Sequence, residues 1–235
     1  MTADKTQLRY TSMLTLLVIC ALLLSVRVVY LYMADAQRFP INTVKISATY
    51  QHVTRKQIET VLATHLNDSF FTLPAGQLQA KLAAIDWVEK VDIERIWPDT
   101  LKITLVEREP VALWNNTLMT IDGHLFNVDK QPSIIGLPIL TGPENQQIDV
   151  LHLYQKLNKL LLNYGLQARS LQLRENQAWE LALANGVQVR LGKQDLEQRL
   201  MRFCKAYASL FADKSEQLSS VDLRYGRGMA VQWKQ

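Results

Sequence analysis

One long apolar segment near the start of the chain limits what this protein can be. Residues 13–33 carry one charge, on Arg27. At a rise of about 1.5 Å per residue, a helix of this length crosses a hydrocarbon core roughly 30 Å thick. Because backbone polar groups find no water in that core, the segment must be helical. Tyr10, Tyr30 and Tyr32 lie at its ends, as interfacial aromatic side chains do, so the sequence predicts one transmembrane helix with the lipid bilayer as a partner.

A cleaved signal peptide is the alternative interpretation of this segment. Lys5 and Arg9 form a basic start, and Ala-Asp-Ala at residues 34–36 matches a small-residue cleavage site. However, the apolar run is longer than a signal peptide needs, and bulky residues fill positions 30–33, where a polar region belongs. Retention of the helix is therefore favoured. The same two cations, set against Arg38 beyond the segment, weakly favour a cytoplasmic N-terminus under the positive-inside rule.

Length, charge and cysteine content restrict the class of the remaining chain. The 235 residues leave room beyond the apolar segment for two modest domains. The formal charge is +4, with Lys and Arg interleaved with Asp and Glu, unlike the clustered basic surface of a nucleic-acid-binding protein. Cys20 lies in the apolar segment and Cys204 near the other end. A disulfide between them is not expected, so packing alone must stabilise the folded part.

Five short elements are predicted within residues 41–108, in the order strand, helix, helix, strand, strand. Apolar and polar residues alternate around Ile46, which indicates a strand. Thr54 and Gln57 have capping-box spacing, which opens a helix, and a second helical repeat follows. Two alternating runs flank the turn sequence of residues 97–100 and predict two strands. The apolar positions that define these elements are Val44, Ile46, Ala48, Ile58, Val61, Leu62, Leu66, Leu78, Leu82, Ile85, Val88, Val91, Ile93, Ile96, Leu101, Ile103 and Leu105.

Residues 109–235 predict a second region of α+β type, with one sheet and helices on one side. A turn is indicated around Gly123, and Asn185-Gly186 between two alternating runs is a strong hairpin signal. Asp195 can cap a late helix, which is followed by two final strands. The apolar positions expected on the two helices are Val150, Leu153, Leu157, Leu160, Leu161 and Tyr164, and then Leu196, Leu200, Phe203, Tyr207 and Leu210.

Two sets of aromatic residues receive different predictions. Trp87 and Trp97 border strands, where large aromatic side chains usually pack in the core. Tyr225 and Trp233 flank the last strand, which at the C-terminal end of a domain often lies at a sheet edge with unpaired backbone groups. A partner segment can add a strand there, with Tyr and Trp as favoured anchors. Met229 lies beside the same edge. The alternative, that Tyr225, Met229 and Trp233 complete the core or merely cap the chain, stays open.

Residues capable of chemistry are scattered. The four histidines lack metal-ligand spacing, and no second cysteine lies near Cys204, which is expected to be packed rather than reactive. Residues 226–228 read Gly-Arg-Gly, without the third glycine and the helix of a dinucleotide-binding loop. Glu107 and Glu109 are two residues apart, with nothing to mark a cleft. We therefore predict no catalytic residue, no cofactor and no metal, and the protein is not expected to be an enzyme.

Several stretches resemble one family. Residues 86–114, DWVEKVDIERIWPDTLKITLVEREPVALW, resemble the end of a POTRA domain and the start of the next domain in the FtsQ/DivIB family of bacterial cell-division proteins. LGKQDLEQRLMRFCKAY (191–207) and VDLRYGRGMAVQW (221–233) resemble the end of that family's C-terminal domain. The resemblance implies a cytoplasmic tail (1–12), a transmembrane helix (13–33), a linker (34–40), a POTRA domain (41–108) and an FtsQ/DivIB-type C-terminal domain with a mostly antiparallel sheet (109–235).

The resemblance implies a bitopic scaffold of the divisome, with its bulk in the periplasm and concentrated at the septum. In the family, FtsB, and through it FtsL, binds near the last strand by strand addition. FtsK, FtsW, FtsI and FtsN are further expected partners. Carried over to this sequence, the partner-binding positions are Arg224, Tyr225, Gly228, Met229 and Trp233 in the C-terminal domain, with Val88, Lys90 and Val91 on the second POTRA strand.

Two other functions remain as alternatives at this point. A POTRA-bearing envelope chaperone or assembly factor normally has repeated POTRA units or a downstream barrel, and the sequence has neither. A membrane-anchored envelope hydrolase would need a nucleophile and base or a metal cluster, which the sequence does not assemble.

Overall fold

The structure is a computed structural model that describes residues 3–65, 68–128, 136–211 and 216–234. The chain divides into two compact units, Met1–Glu107 and Arg108–Gln235. The first consists of an apolar helix and a small α+β domain, and the second is a larger α+β domain with a long sheet. The predicted fold class is confirmed.

Helix α1 spans Ala3–Met33. Its segment Met13–Met33 is long and apolar enough to cross a membrane. Side chains along this segment are exposed, which in water would be unfavourable for so many apolar groups. The predicted helix is confirmed, and its exposed apolar surface fits a lipid environment.

The small domain of the first unit has the predicted order of elements. They are β1 (Thr43–Ser47), α2 (Arg55–Ala63), α3 (Ala75–Ala83), β2 (Val88–Ile96) and β3 (Thr100–Glu107). The sheet order is β1-β3-β2, with β1 parallel and β2 antiparallel to β3. The two helices bury their apolar residues, among them Ile58 and Leu78, with the inward side chains of the sheet such as Ile103.

Local sequence signals explain where α2 begins. Gln57 donates its backbone N–H to the Thr54 hydroxyl at 3.4 Å, and Thr54 donates its backbone N–H to the Gln57 side-chain oxygen at 2.8 Å. This reciprocal pair satisfies two of the N–H groups left free at a helix start. The predicted capping box is confirmed, whereas the predicted core position Leu66 lies outside the described residues.

The two tryptophans of this domain differ from each other. Trp87 is buried as predicted, but 76% of Trp97 is exposed, so its predicted core position is wrong. Trp97 lies in the turn beyond the last paired residues of β2 and β3, Ile96 and Thr100. A side chain at that position projects past the paired strands rather than onto the buried face of the sheet.

The carboxylate of Glu107 has a structural role at the end of β3. It accepts the backbone N–H groups of Gln51 at 3.1 Å and His52 at 2.8 Å. The His52 ring in turn stacks on Trp87 with ring centroids 3.7 Å apart. Glu107 therefore fastens the loop between β1 and α2 to the sheet, because a carboxylate that accepts two N–H bonds restrains both donors.

The second unit contains a nine-stranded sheet in the described part of the chain, in the order β12-β11-β10-β9-β8-β7-β4-β5-β6. Five of its neighbouring pairs are antiparallel and three are parallel, so the predicted mostly antiparallel sheet is confirmed. The elements are β4 (Ala112–Trp114), β5 (Thr117–Met119), β6 (Leu125–Phe126), β7 (Ile139–Thr141), α4 (Gln147–Leu162), β8 (Ala168–Leu173), β9 (Trp179–Leu183), β10 (Gln188–Gly192), α5 (Leu196–Ala206), a π-helical turn (Tyr207–Phe211), β11 (Leu218–Asp222) and β12 (Ala230–Trp233).

One face of this sheet carries the core of the second unit. Along β10, Val189 and Leu191 are buried whereas Gln188 and Arg190 are exposed, the alternation of a sheet covered on one side. Helices α4 and α5 share this core, and Cys204 of α5 is fully buried in it. Burial raises the pKa of the Cys204 thiol to about 11. Both cysteines are free in the structure, and the predicted packing of Cys204 is confirmed.

Turns and helix ends follow the sequence signals in part. The hairpin at Asn185-Gly186 is confirmed, with Gly186 at φ +91. Asp195 occupies the N-cap position of α5 without a side-chain capping bond. The predicted apolar stripe of this helix is wrong at Leu210, which is 69% exposed. The reason is the π-helical turn Tyr207–Phe211, since its wider spacing rotates the stripe away from the core.

Candidate functional site

The last strand lies at an edge of the nine-stranded sheet, as the sequence predicts. β12 is antiparallel to β11, with Val231 opposite Val221 and Ala230 opposite Asp222. Within the described ranges no strand pairs with its other side. An open strand edge presents backbone donors and acceptors to which a further strand can bind.

Register determines which backbone groups of β12 point away from the sheet. The N–H of Lys234 donates to the carbonyl of Gln217, on the β11 side, at 2.6 Å. Backbone groups of successive residues point in opposite directions along a strand, so those of Val231 and Trp233 point outward. The N–H of Leu223 supports this register, because it donates to Arg190 on β10 and thus away from β12. The irregularity in the pairing falls between Leu218 and Ser220 of β11 and leaves this alternation in β12 unchanged.

The side chains of this edge combine half-buried and exposed apolar groups. Met229 and Val231 are half-buried against the core of the second unit. Trp233 is 42% exposed, and its ring meets Phe211 edge-on at 5.9 Å. Tyr225, in the loop before β12, is 57% exposed. Phe211 is a member of this edge that the sequence analysis missed, because the π-helical turn that places it there has no sequence signature.

An arginine of α5 holds the loop between β11 and β12 in place. The Arg202 guanidinium donates to the carbonyls of Gly226 at 2.8 Å, Tyr225 at 2.9 Å and Leu223 at 3.5 Å. A rigid fork of donors can engage several carbonyls at once. Arg202 therefore positions Tyr225, although the sequence analysis did not identify it. The sequence shows Arg202 only as a charged residue beside the apolar stripe of α5. Because such residues usually face solvent, this position does not predict a contact with the loop.

The other predicted positions in this loop have different surroundings. Gly228 is exposed, and a Cβ added there would meet no atom within 4 Å. Arg224 forms an ion pair with Asp222 at 2.6 Å. Hydrogen bonds from the guanidinium and the backbone N–H of Arg224, followed by the charge of Arg224, hold the pKa of the Asp222 carboxyl below its ordinary value. Gly228 has no steric need to be glycine, and Arg224 is fixed by a partner within its own domain.

Charges alternate across the exposed face of the sheet beside this edge. The register places Glu180, Arg190 and Asp222 side by side on β9, β10 and β11. Arg174 pairs with Glu180 at 2.8 Å. This face is therefore a row of compensated charges that ends at the open edge of β12.

The candidate residues in the first unit lie on β2, an outer strand of the three-stranded sheet. Lys90 is exposed, but the side chains of Val88 and Val91 are buried. Only the backbone of these two valines can therefore reach a partner. The Gln79 side chain of α3 donates to the Val91 carbonyl at 2.8 Å, so one backbone acceptor of β2 is already engaged.

Among the described residues, no group of three or more His, Cys, Asp or Glu side chains is arranged to hold a metal. In the described part of the second unit, an open strand edge, exposed aromatic side chains and a loop held by Arg202 lie together.

Comparison with known proteins identifies the relatives of this chain. The family model described as "POTRA domain, FtsQ-type" matches residues 39–108, and "Cell division protein FtsQ/DivIB, C-terminal" matches residues 112–224. The chain is 31% identical to cell division protein FtsQ of Coxiella burnetii, over 85% of this chain and 83% of that protein. It is 34% identical to the Shewanella oneidensis protein, over 86% and 77%, and 32% identical to the Aliivibrio fischeri protein, over 94% and 86%. These relatives are named as cell-division proteins, and their names state no reaction.

Proposed function

Because the chain belongs to the FtsQ/DivIB family of cell-division proteins, we propose that it is a non-enzymatic scaffold that recruits and links divisome proteins at the septum. In this proposal α1 holds the protein in the inner membrane, with a cytoplasmic tail at residues 1–12 and the bulk in the periplasm. Residues 41–108 form the POTRA domain, and residues 109–235 form the partner-binding domain. Family membership and the exposed apolar surface of α1 support this proposal.

FtsB, and through it FtsL, binds the C-terminal domain by adding a strand to β12. The observation that carries this proposal is the outward direction of the N–H and C=O groups of Val231 and Trp233. A strand of FtsB that pairs with these groups extends the sheet by one position, a common mode of peptide recognition.

The aromatic side chains near β12 are needed for affinity. A backbone hydrogen bond contributes only about 0.5–1.5 kcal/mol net, and β12 offers outward groups at few positions. Buried Tyr and Trp anchors can each contribute about 2 kcal/mol or more. Tyr225 and Trp233 are exposed beside the edge, so they contact FtsB while the backbone fixes its register. Met229, Gly228 and Arg224 lie in the same loop and are the further proposed contacts with FtsB.

Val231→Pro tests strand addition directly. Proline removes the outward N–H and leaves the pairing of β12 with β11 through its even-numbered residues. Edge strands tolerate proline where the N–H faces solvent. We expect full-length V231P, co-produced with FtsB and solubilised in mild detergent, to retain far less FtsB in a pull-down than the wild type.

Val231→Thr is the matched control, since threonine, unlike proline, keeps both the β-branched shape of valine and the backbone N–H donor. We expect V231T to retain FtsB at close to the wild-type level, and both variants to have wild-type circular dichroism. If V231P bound FtsB as well as the wild type, the backbone of β12 would not be the docking element.

Partners of the POTRA domain use a different surface. We propose that FtsK, FtsW, FtsI or FtsN contacts the open side of β2 at Val88, Lys90 and Val91. The Lys90 side chain carries most of this contact, because the Val88 N–H already donates to Ile85 and the Val91 carbonyl accepts from Gln79. Lys90→Glu reverses a charge on an exposed side chain, so we expect a loss of one of these partners and no loss of FtsB. Pull-downs of each partner with the same detergent-solubilised chain measure this difference.

A further inference from the structure

We infer that the turn between β2 and β3 dips into the lipid headgroup layer, with Trp97 as a second interfacial anchor of the protein. This inference rests on the proposed membrane-spanning role of α1. The site is a surface turn of the small domain, distinct from β12 and from the open side of β2.

The first observation is an exposed apolar tip. Trp97 is 76% exposed and the adjoining Ile96 is 42% exposed. Large aromatic groups gain from leaving water, and the indole ring also carries one N–H that needs a hydrogen-bond acceptor. A headgroup layer satisfies both requirements, which is why Trp is enriched at membrane interfaces.

The second observation is that the end of α1 is fixed to the small domain. The Ser69 hydroxyl donates to the carbonyl of Met33, the last residue of α1, at 2.5 Å. Just beyond the helix, Phe39 accepts the N–H of Phe70 at 2.9 Å. The Phe39 ring also contacts Tyr32 of α1, with centroids 5.7 Å apart. The level of the membrane surface is thereby set relative to this domain.

The third observation is that hydrogen bonds join the turn that contains Trp97 to the end of the small domain next to α1. On one side of Trp97, Arg95 donates to the carbonyl of Leu73 at 2.5 Å. The N–H of Leu73 donates to the carbonyl of Ser69 at 2.8 Å, so Leu73 is joined to the residue that contacts the end of α1. On the other side, the Asn42 side chain donates to Asp99 at 2.9 Å, and Asn42 lies close to the end of α1 in sequence.

Trp97 is therefore held between two attachments that lead back to the membrane end of α1. Tyr30 and Tyr32 already mark the interface at that end of the helix. A second anchor on the folded domain would restrict its rotation and tilt, because two separated contacts with the membrane plane allow fewer orientations than the contact at α1 alone. In this inference Trp97 contacts the lipid bilayer. The alternative is that it contacts the transmembrane segment of another protein.

Fluorescence quenching by brominated lipids tests the inference. The full-length chain is reconstituted into vesicles of phosphatidylethanolamine and phosphatidylglycerol, with or without lipids brominated at the upper acyl carbons. We expect these lipids to quench part of the tryptophan emission of the wild type, and Trp97→Phe to lose most of the quenched emission. Trp233→Phe is the matched control, because it removes an exposed tryptophan from the other unit and should keep the quenching.

Two results would overturn the inference. If W97F were quenched as much as the wild type while the protein resisted extraction from vesicles by alkaline carbonate, the turn would lie outside the lipid although α1 spans it. If carbonate released the protein, the membrane-spanning role of α1 would fail, and this inference would fail with it. The circular dichroism of W97F should match that of the wild type, which shows that a loss of quenching does not come from unfolding.

Discussion

The two units of this protein each leave a strand edge open, but the two edges differ in what they display. β2 is nine residues long, yet its valines face the core and Gln79 already occupies one of its carbonyls. β12 has four residues, with two aromatic side chains exposed beside it. In strand addition the backbone provides hydrogen bonds and side chains provide selectivity. In the proposed function, FtsB therefore selects the shorter edge because of the side chains beside it.

The largest expected effects come from removing one apolar side chain at each edge. The change at β2 should reduce stability, and the change at β12 should reduce FtsB binding. Val91→Ala removes two buried methyl groups of β2. The lost burial and the cavity left behind should destabilise the first unit by about 1.5–3 kcal/mol and leave FtsB binding unchanged. Trp233→Ala should abolish most FtsB binding at a smaller cost in stability. Hydrogen exchange of each unit in the full-length protein, together with FtsB pull-downs, measures both quantities.

Tyr50→Ala is a control for this comparison, because Tyr50 is 41% exposed and lies in the first unit. We expect Y50A to bind FtsB normally. If V91A, rather than W233A, lost FtsB, the assignment of the two edges to different partners would be wrong.

An intermediate effect is expected from the residue that supports the second edge. Arg202→Met removes a guanidinium that donates to three loop carbonyls. Hydrogen bonds from a charged donor contribute about 1.5–3 kcal/mol, so loss of this set should loosen residues 223–229 and weaken FtsB binding through Tyr225. Faster hydrogen exchange of the loop, with α5 itself unchanged, would distinguish this role from general unfolding.

Arg227→Met is the matched control, since Arg227 is an exposed cation of the same loop. It should leave loop exchange unaltered. Equal effects of R202M and R227M would mean that charge rather than attachment controls the loop.

The smallest expected effect is the pH dependence of the ion pair before the second edge. Arg224 holds the pKa of Asp222 below its ordinary value, so the pair stabilises the folded state above the unfolded pKa of about 3.9. This contribution is lost as the pH falls from about 5 through the lower folded pKa. The pair is half-exposed at Arg224, so its contribution is at most about 1 kcal/mol. Asp222→Asn should lower the free energy of unfolding by at most about 1 kcal/mol at neutral pH. It should leave that free energy unchanged below the folded pKa of Asp222, so the fall in stability towards acid pH becomes slightly shallower.

Local signals in the sequence determined the order and type of most elements. The apolar length of α1, the capping box at Thr54 and Gln57 and the hairpin at Asn185-Gly186 all depend on residues near one another in the chain. Such signals act through backbone propensity and short-range hydrogen bonds, and neither requires knowledge of distant contacts. The family resemblance came from the same kind of local pattern.

Only the tertiary structure decided which of these residues are exposed and which backbone groups are open. Trp97 and Leu210 are large apolar residues of the kind found in cores, but both are exposed. Trp97 lies in a turn beyond the last paired residues of β2 and β3, and Leu210 lies in a π-helical turn. Arg202 acts on a loop more than twenty residues away in sequence. The outward direction of Val231 follows from its register with β11. Each of these depends on contacts between distant segments, which hydrophobic periodicity does not specify because it records only the local face on which a residue lies.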